Sequence, residues 1–247
     1  MDIDTVISKI LEYNPKANIS LIRNAYEFAA HAHQNEKRAS GEEYIQHPLN
    51  AAYILAEYNL DDEAIAAALL HDTMENAKVS FDELKKNFGP EIAALVDGVS
   101  RINIIKSKNI EEIKAENVRK LLIATTKDIR VIMIKLADKL HNMRTLQYLS
   151  PDRQKRIAKE AIEIYAPIAY RLGIHAIKSE IEDIAFRFLE PQKYKEIQEK
   201  VAATESVRKN EIAEVNQMIF DEINKRKIDA RIQSRHKSYY SIYKKML

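Results

Sequence analysis

The sequence predicts an all-α fold, a bundle of about ten helices followed by a helical linker region. Turn residues are scarce, with only four Gly and six Pro in 247 residues, and a β-rich chain of this length needs many more. Apolar residues recur at three- and four-residue spacing through most of the chain. The length suits one large domain, or one domain with an appendage.

Composition removes several function classes. Charged residues make up 31% of the chain, yet the formal net charge is only +2. A dedicated nucleic-acid binder carries a stronger basic bias, so no nucleic-acid partner is expected. The absence of cysteine excludes disulfides and thiolate metal sites, leaving His nitrogen and carboxylate oxygen as metal donors. Met1-Asp2-Ile3-Asp4 lacks the basic and apolar regions of a signal peptide. No apolar run approaches bilayer length. A soluble cytoplasmic protein without membrane contact is expected.

Taken in order, residues 2–12 read as a short helix closed by the turn at Asn14-Pro15. Ser20 is the expected cap of a second helix, in which Ile22, Ala25, Tyr26 and Ala29 share a face. A polar loop from Gln34 to Glu43 leads to His47-Pro48, where Pro48 fits the first turn of a third helix and sets His47 at its mouth. Asp61 or Asp62 caps the next helix, which ends in His71-Asp72. Ser80-Phe81-Asp82-Glu83 has the form of a capping box, Gly89 fits a helix stop, and Pro90 a new start.

A loop is expected from Ile102 to Ile110, then helices over Glu111–Thr125 and Asp128–Leu149. Val131-Ile132-Met133-Ile134 alone resembles a buried strand, but Ile129, Ile132, Met133, Leu136 and Leu140 together have helical period. Further helices begin at Ser150-Pro151, break at Gly173 and end near Pro191. Beyond Pro191 apolar residues thin among charges, as in exposed amphipathic helices, and the segment from Arg235 to Lys245 is basic and tyrosine-rich.

The chemistry concentrates at His71-Asp72, a polar doublet ending an apolar helix. Neighbours on a helix diverge by about 100°, so the two share a cation only at the helix edge, with other ligands from elsewhere. His47 and Asp138 are the candidates, because Asp138 interrupts an apolar face and a buried carboxylate needs a positive partner. Each has a plainer reading: His47 as a packed residue, Asp138 paired with Lys135 or Arg144. Two nitrogen and two oxygen donors suit manganese, iron or zinc, with manganese preferred. Such a centre serves hydrolytic phosphorus chemistry. His31 and His33 are assigned to solvent or packing, and His141 to packing beneath the site.

Seven motifs then resemble the RelA/SpoT homologue family, in particular its N-terminal HD-type hydrolase domain. They are Arg38-Ala-Ser-Gly-Glu-Glu-Tyr-Ile-Gln-His47-Pro, Ala67-Ala-Leu-Leu-His-Asp72, Phe88-Gly-Pro-Glu, Leu95-Val-Asp-Gly-Val99, Ala115-Glu-Asn-Val-Arg-Lys120, Ile134-Lys-Leu-Ala-Asp-Lys-Leu-His-Asn-Met-Arg-Thr-Leu146 and Ile164-Tyr-Ala-Pro-Ile-Ala-Tyr-Arg-Leu-Gly173. The resemblance implies a manganese-dependent hydrolase that removes the 3′-diphosphate of (p)ppGpp, leaving GDP or GTP and pyrophosphate. It implies His47, His71, Asp72 and Asp138 as metal ligands, and an HD-domain bundle over residues 1–195. Arg38, Ser40, Tyr44, Asn142 and Arg144 fall in segments that line the family's nucleotide pocket.

Glu75 and Asn76 fall where the family places a pair of acids that activate water. Asn76 departs from that pattern, since an amide is no base. Ala39 also departs, standing where the family usually has a basic residue. These departures favour, as an alternative, a catalytically weak nucleotide-sensing domain; a phosphohydrolase of another nucleotide such as NADPH is a further one. Residues 196–247 would be a linker and the truncated start of a synthetase domain, in which Arg235, Lys237, Ser241 and Lys245 resemble phosphate-binding residues. Contact with the rest of such a domain, or with a second copy of the chain, is the expected protein partnership, and synthesis of (p)ppGpp is not expected.

Overall fold

The computed structural model describes residues 1–102, 128–203, 205–230, 232 and 237–247. Among these no β-strand forms, and Lys37 and Glu43 make an isolated antiparallel bridge. The predicted all-α class holds. The loop expected from Ile102 to Ile110, the helix over Glu111–Thr125 and the Ala115–Lys120 motif fall almost wholly outside the described residues, as does Arg235.

The helices are α1 (Ile3–Leu11), α2 (Ile19–Ala32), α3 (Gln46–Glu57), α4 (Asp62–Leu70), α5 (Phe81–Ile102) and α6 (Ile129–Arg144). A 3₁₀ turn (Leu146–Tyr148) follows, then α7 (Pro151–Glu160), a π-helical turn (Ala161–Tyr165) and α8 (Ala166–Arg171). The chain continues through α9 (His175–Leu189), α10 (Pro191–Ala203), α11 (Glu205–Lys225) and α12 (Tyr239–Met246).

α4 is the centre of the bundle. Its residues from Ala64 to Leu70 are all fully buried, and a helix that is apolar all round belongs inside a core. It packs on α2, α3, α5 and α6. Asp61 is its cap, accepting the Ala64 N–H at 2.8 Å. α6 is the second deep helix, and the run Val131–Ile134 is helical as its wider period requires.

Local signals fix most helix ends. Ser80 Oγ accepts the Glu83 N–H, and Pro151 opens α7. Gly89 kinks α5 with φ 85° and ψ 168°, a conformation open essentially to Gly alone. Two boundaries differ from expectation. Asn18, not Ser20, caps α2 by accepting the Leu21 N–H at 3.1 Å; the Asn side chain satisfies the first turn two residues earlier. α6 ends at Arg144, short of Leu149, where Thr145 turns its hydroxyl back onto the His141 carbonyl.

The last segments are less embedded. α11 exposes Val215, Met218, Ile219 and Phe220. α12 docks on α9 and α10: Asp183 accepts the Tyr239 and Tyr240 N–H groups at 3.2 and 2.8 Å, and Tyr243 stacks on Phe186. No helix among the described residues is long and apolar enough to cross a membrane.

A Cβ at Gly89 would meet nothing within 4 Å, so only backbone strain opposes a side chain there. Gly89→Ala is expected to cost about 1–3 kcal/mol, read as a lower urea midpoint with unchanged helical circular dichroism.

Candidate metal centre and adjoining cavity

Three helices deliver the candidate ligands. His47 lies in the first turn of α3, His71 is the residue on which α4 ends, Asp72 follows it, and Asp138 sits on the buried face of α6. All four are buried. Donor atoms of His47, His71 and Asp138 lie within 4.8 Å of one another. His47 Nε2 is 3.2 Å from Asp138 Oδ1 and 3.6 Å from Asp72 Oδ2. Asp72 Oδ2 is in turn 3.3 Å from His71 Nε2.

Outer hydrogen bonds orient these rings. His71 donates its Nδ1–H to the Ala68 carbonyl at 2.7 Å, so Nε2 faces the carboxylates, buried and without a hydrogen-bond partner. His47 Nδ1 lies 2.8 Å from His141 Nδ1. One of the two nitrogens must carry the proton. If His47 carries it, its Nε2 lone pair turns inward, the tautomer a metal ligand needs. Burial and the neighbouring His47 hold His141 at a pKa of about 3, so it stays neutral.

Burial pushes His71 toward neutrality, but Asp72 and Asp138 outweigh it and raise the group to about 9. Burial likewise pushes both carboxyls up, and charged partners overcome it. His71 is the chief partner of Asp72 and Lys135 of Asp138, and each acid is held below the usual carboxylate range. The pocket therefore demands positive charge at this point. A divalent cation in place of the His71 proton would meet that demand, and the N₂O₂ donor set fits one.

Lys135 was legible only as a possible partner of Asp138, and it is that partner: its ammonium donates to Asp138 Oδ2 at 2.7 Å, fully buried. Asn142 donates to Asp138 Oδ1 at 2.5 Å and accepts from Arg38 at 2.9 Å. The Tyr44 hydroxyl donates to Asp72 Oδ2 at 2.6 Å, and Asn76 donates to Tyr44 at 2.8 Å. Burial and Asp72 together push the Tyr44 phenol well above its usual range, so it stays protonated.

His47, Asp72 and Asp138 open onto a cavity of about 280 Å³ whose lining also includes Glu75, Asn76, Lys135 and Lys139. Beside it lies a second cavity of about 400 Å³, lined by Arg38, Ser40, Thr145 and Arg153 among others. Tyr44, Lys139 and Asn142 line both. The two cavities thus adjoin through three polar side chains.

Of the residues expected in the pocket, Arg38, Ser40, Tyr44 and Asn142 are there. Arg144 is not: it lines neither cavity and forms a two-pronged ion pair with Glu180 at 2.6 and 2.9 Å. Its position two residues beyond Asn142 turns it about 200° around α6, toward α9. Sequence reasoning passed over Lys139 and Thr145. Thr145 follows Asp138 by seven residues, two helical turns, and that spacing was the available signal; Lys139, one residue on, carried none. His33 is buried and stacks on Tyr44 at 4.6 Å, a packing role as expected.

A helical bundle holding a buried His-Asp doublet with a further His and Asp defines an HD-type metal-site protein. The family model described as "HD domain" matches residues 25–175, and the chain belongs to that family. It is 45% identical over 238 residues to the bifunctional (p)ppGpp synthase/hydrolase SpoT of Escherichia coli, covering 96% of this chain and 34% of that protein. It is 43% identical over 240 residues to a GTP pyrophosphokinase of Myxococcus xanthus, covering 96% of this chain and 32% of the relative. A solved structure described as a metazoan ortholog of SpoT that hydrolyzes ppGpp is 27% identical, covering 68% of this chain and 94% of that one, with a TM-score of 0.47. The chain spans about a third of the length of the curated relatives it matches.

Two substitutions separate the centre from its surroundings. Asp138→Asn is expected to weaken divalent-cation binding at least about tenfold, by loss of a charged ligand. Arg144→Ala should leave that affinity unchanged, because its partner is Glu180. Competition with a fluorescent chelator measures both.

Proposed function

We propose that this chain hydrolyses the 3′-diphosphate of (p)ppGpp, giving GDP or GTP and pyrophosphate, with manganese as the cation. The observation that carries the proposal is the junction of the two cavities. Cation donors line one, Arg38 and Ser40 line the other, and Tyr44, Lys139 and Asn142 belong to both. A nucleotide lying in the larger cavity would extend its diphosphate into the smaller one. The name of the Escherichia coli relative, a (p)ppGpp synthase/hydrolase, supports the same substrate, and the proposed setting is the cytoplasm.

In the reaction a water oxygen bonds to phosphorus while the bond from phosphorus to the ribose 3′ oxygen breaks. The water's proton passes to a base, and the leaving 3′ oxygen takes up a proton from solvent to depart as a hydroxyl. The bound cation would lower the pKa of water and neutralise phosphoryl charge. Glu75, exposed at the smaller cavity, is the proposed base. Asn76 cannot share that role, since its amide carries no basic lone pair near neutral pH. Lys139 is partly buried, and burial is outweighed by Tyr165 and Asp138, which keep its ammonium charged. It is a proposed phosphate contact. Arg38 keeps one nitrogen on Asn142 and Thr145, which fixes its guanidinium at the cavity wall.

A second reading has one observation in its favour. The Asn76 amide is committed to Tyr44, so Glu75 works without a second acid, as in a weakly active nucleotide-sensing domain. Under either reading residues 1–195 form the hydrolase unit and residues 196–247 the linker and start of a synthetase-like segment. Lys237, Ser241 and Lys245 would contribute to that segment's phosphate contacts.

Incubation with ppGpp and manganese should release pyrophosphate, and a His71→Ala, Asp72→Ala chain should release none. Release no greater than from that control, with nucleotide binding intact by calorimetry, would favour the sensing reading. Faster turnover of NADPH in the same panel would sink the substrate assignment. Glu75→Gln should lower kcat by about 10²-fold with manganese affinity retained, while Arg38→Ala should act chiefly on KM.

A further inference from the structure

We infer that Asn76 is a positioning residue for the cation-binding carboxylate of Asp72, acting through Tyr44. This rests on the cation reading of the site and adds a role for a residue that the proposed chemistry leaves idle.

The direction of the hydrogen bonds follows by elimination. Asp72 is ionised and can only accept. The Tyr44 hydroxyl, 2.6 Å from Asp72 Oδ2, must therefore be the donor. Its single proton is then spent, and its oxygen can only accept. The Asn76 atom at 2.8 Å is accordingly the amide nitrogen, which settles the orientation of that side chain.

A phenol proton has two in-plane orientations. An N–H pointed at the oxygen blocks one and leaves the other, toward Asp72. Tyr44 itself is fixed by the His33 ring at 4.6 Å and the Arg38 guanidinium at 5.8 Å. The oxygen it holds is the one that faces His71 Nε2 at 3.3 Å and His47 Nε2 at 3.6 Å. One lone pair of Oδ2 is thus taken by Tyr44, and the other is aimed between the two imidazoles. Asp138 is held in the same manner by the chain from Arg38 through Asn142. Outer partners of this kind set the orientation of ligating carboxylates.

The test uses the whole chain and manganese alone, with free manganese read by its paramagnetic resonance signal. Tyr44→Phe should weaken binding by about tenfold. Asn76→Ala should weaken it by about threefold, the worth of a modest hydrogen bond, and should add nothing when Tyr44 is already Phe. Asn76→Gln keeps the amide donor and should recover most of the loss. Asn76 is exposed, so the melting temperature should not move in the Asn76 variants. An unchanged manganese affinity in Asn76→Ala, or an equal loss with and without the Tyr44 hydroxyl, would overturn the inference. Failure of the unsubstituted chain to bind manganese would overturn it together with the cation reading. Pyrophosphate release plays no part in the measurement, so failure of the hydrolase reading alone is told apart.

Discussion

Two carboxylates in the middle of a helical core are the constraint on which this structure depends. Asp72 and Asp138 sit where α3, α4 and α6 converge, and each would be prohibitively costly there without compensation. The fold answers with Lys135 on Asp138, with two imidazoles turned toward both acids, and with hydrogen bonds from Tyr44 and Asn142. None of these groups strengthens the apolar core. Replacing them all with packed hydrocarbon would be expected to stabilise the chain. Their presence makes sense as a site that must hold charge.

The surrounding helices supply the rigidity that such a site needs. α4 is fully buried from Ala64 to Leu70, which fixes where His71 emerges. α6 carries Lys135, Asp138 and Asn142 on connected turns, so one helix provides a candidate ligand, its ammonium partner and its amide partner. Arg144 ties the end of α6 to Glu180 on α9. One turn further along α9, Asp183 holds the start of α12. α6 and the basic C-terminal helix α12 are therefore both anchored on α9.

What could be read from the sequence divides along physical lines. Local signals were legible: a cap at Asp61 or Asp62, the Ser80 cap, the Gly89-Pro90 break and the helical period through Val131–Ile134 each depend on residues a few positions apart. The four buried His and Asp residues were also legible, because polar groups interrupting apolar faces are conspicuous. Long-range partnerships were not. Nothing near Arg144 announces Glu180, and nothing near His47 announces His141, since those pairs exist only once α6 packs on its neighbours. The position of the α2 cap was missed because Asn18 and Ser20 are both good caps. Asn76 read only as a missing acid, whereas its contact with Tyr44 gives the amide a use of its own.

The central claim is that the buried His and Asp cluster is a divalent-cation centre, and diffraction at the manganese absorption edge tests it most directly. A manganese-loaded crystal should give one strong anomalous peak among His47 Nε2, His71 Nε2 and the carboxylates of Asp72 and Asp138, lost in Asp138→Asn. A cluster without such a peak, with those side chains joined only to one another, would contradict the account.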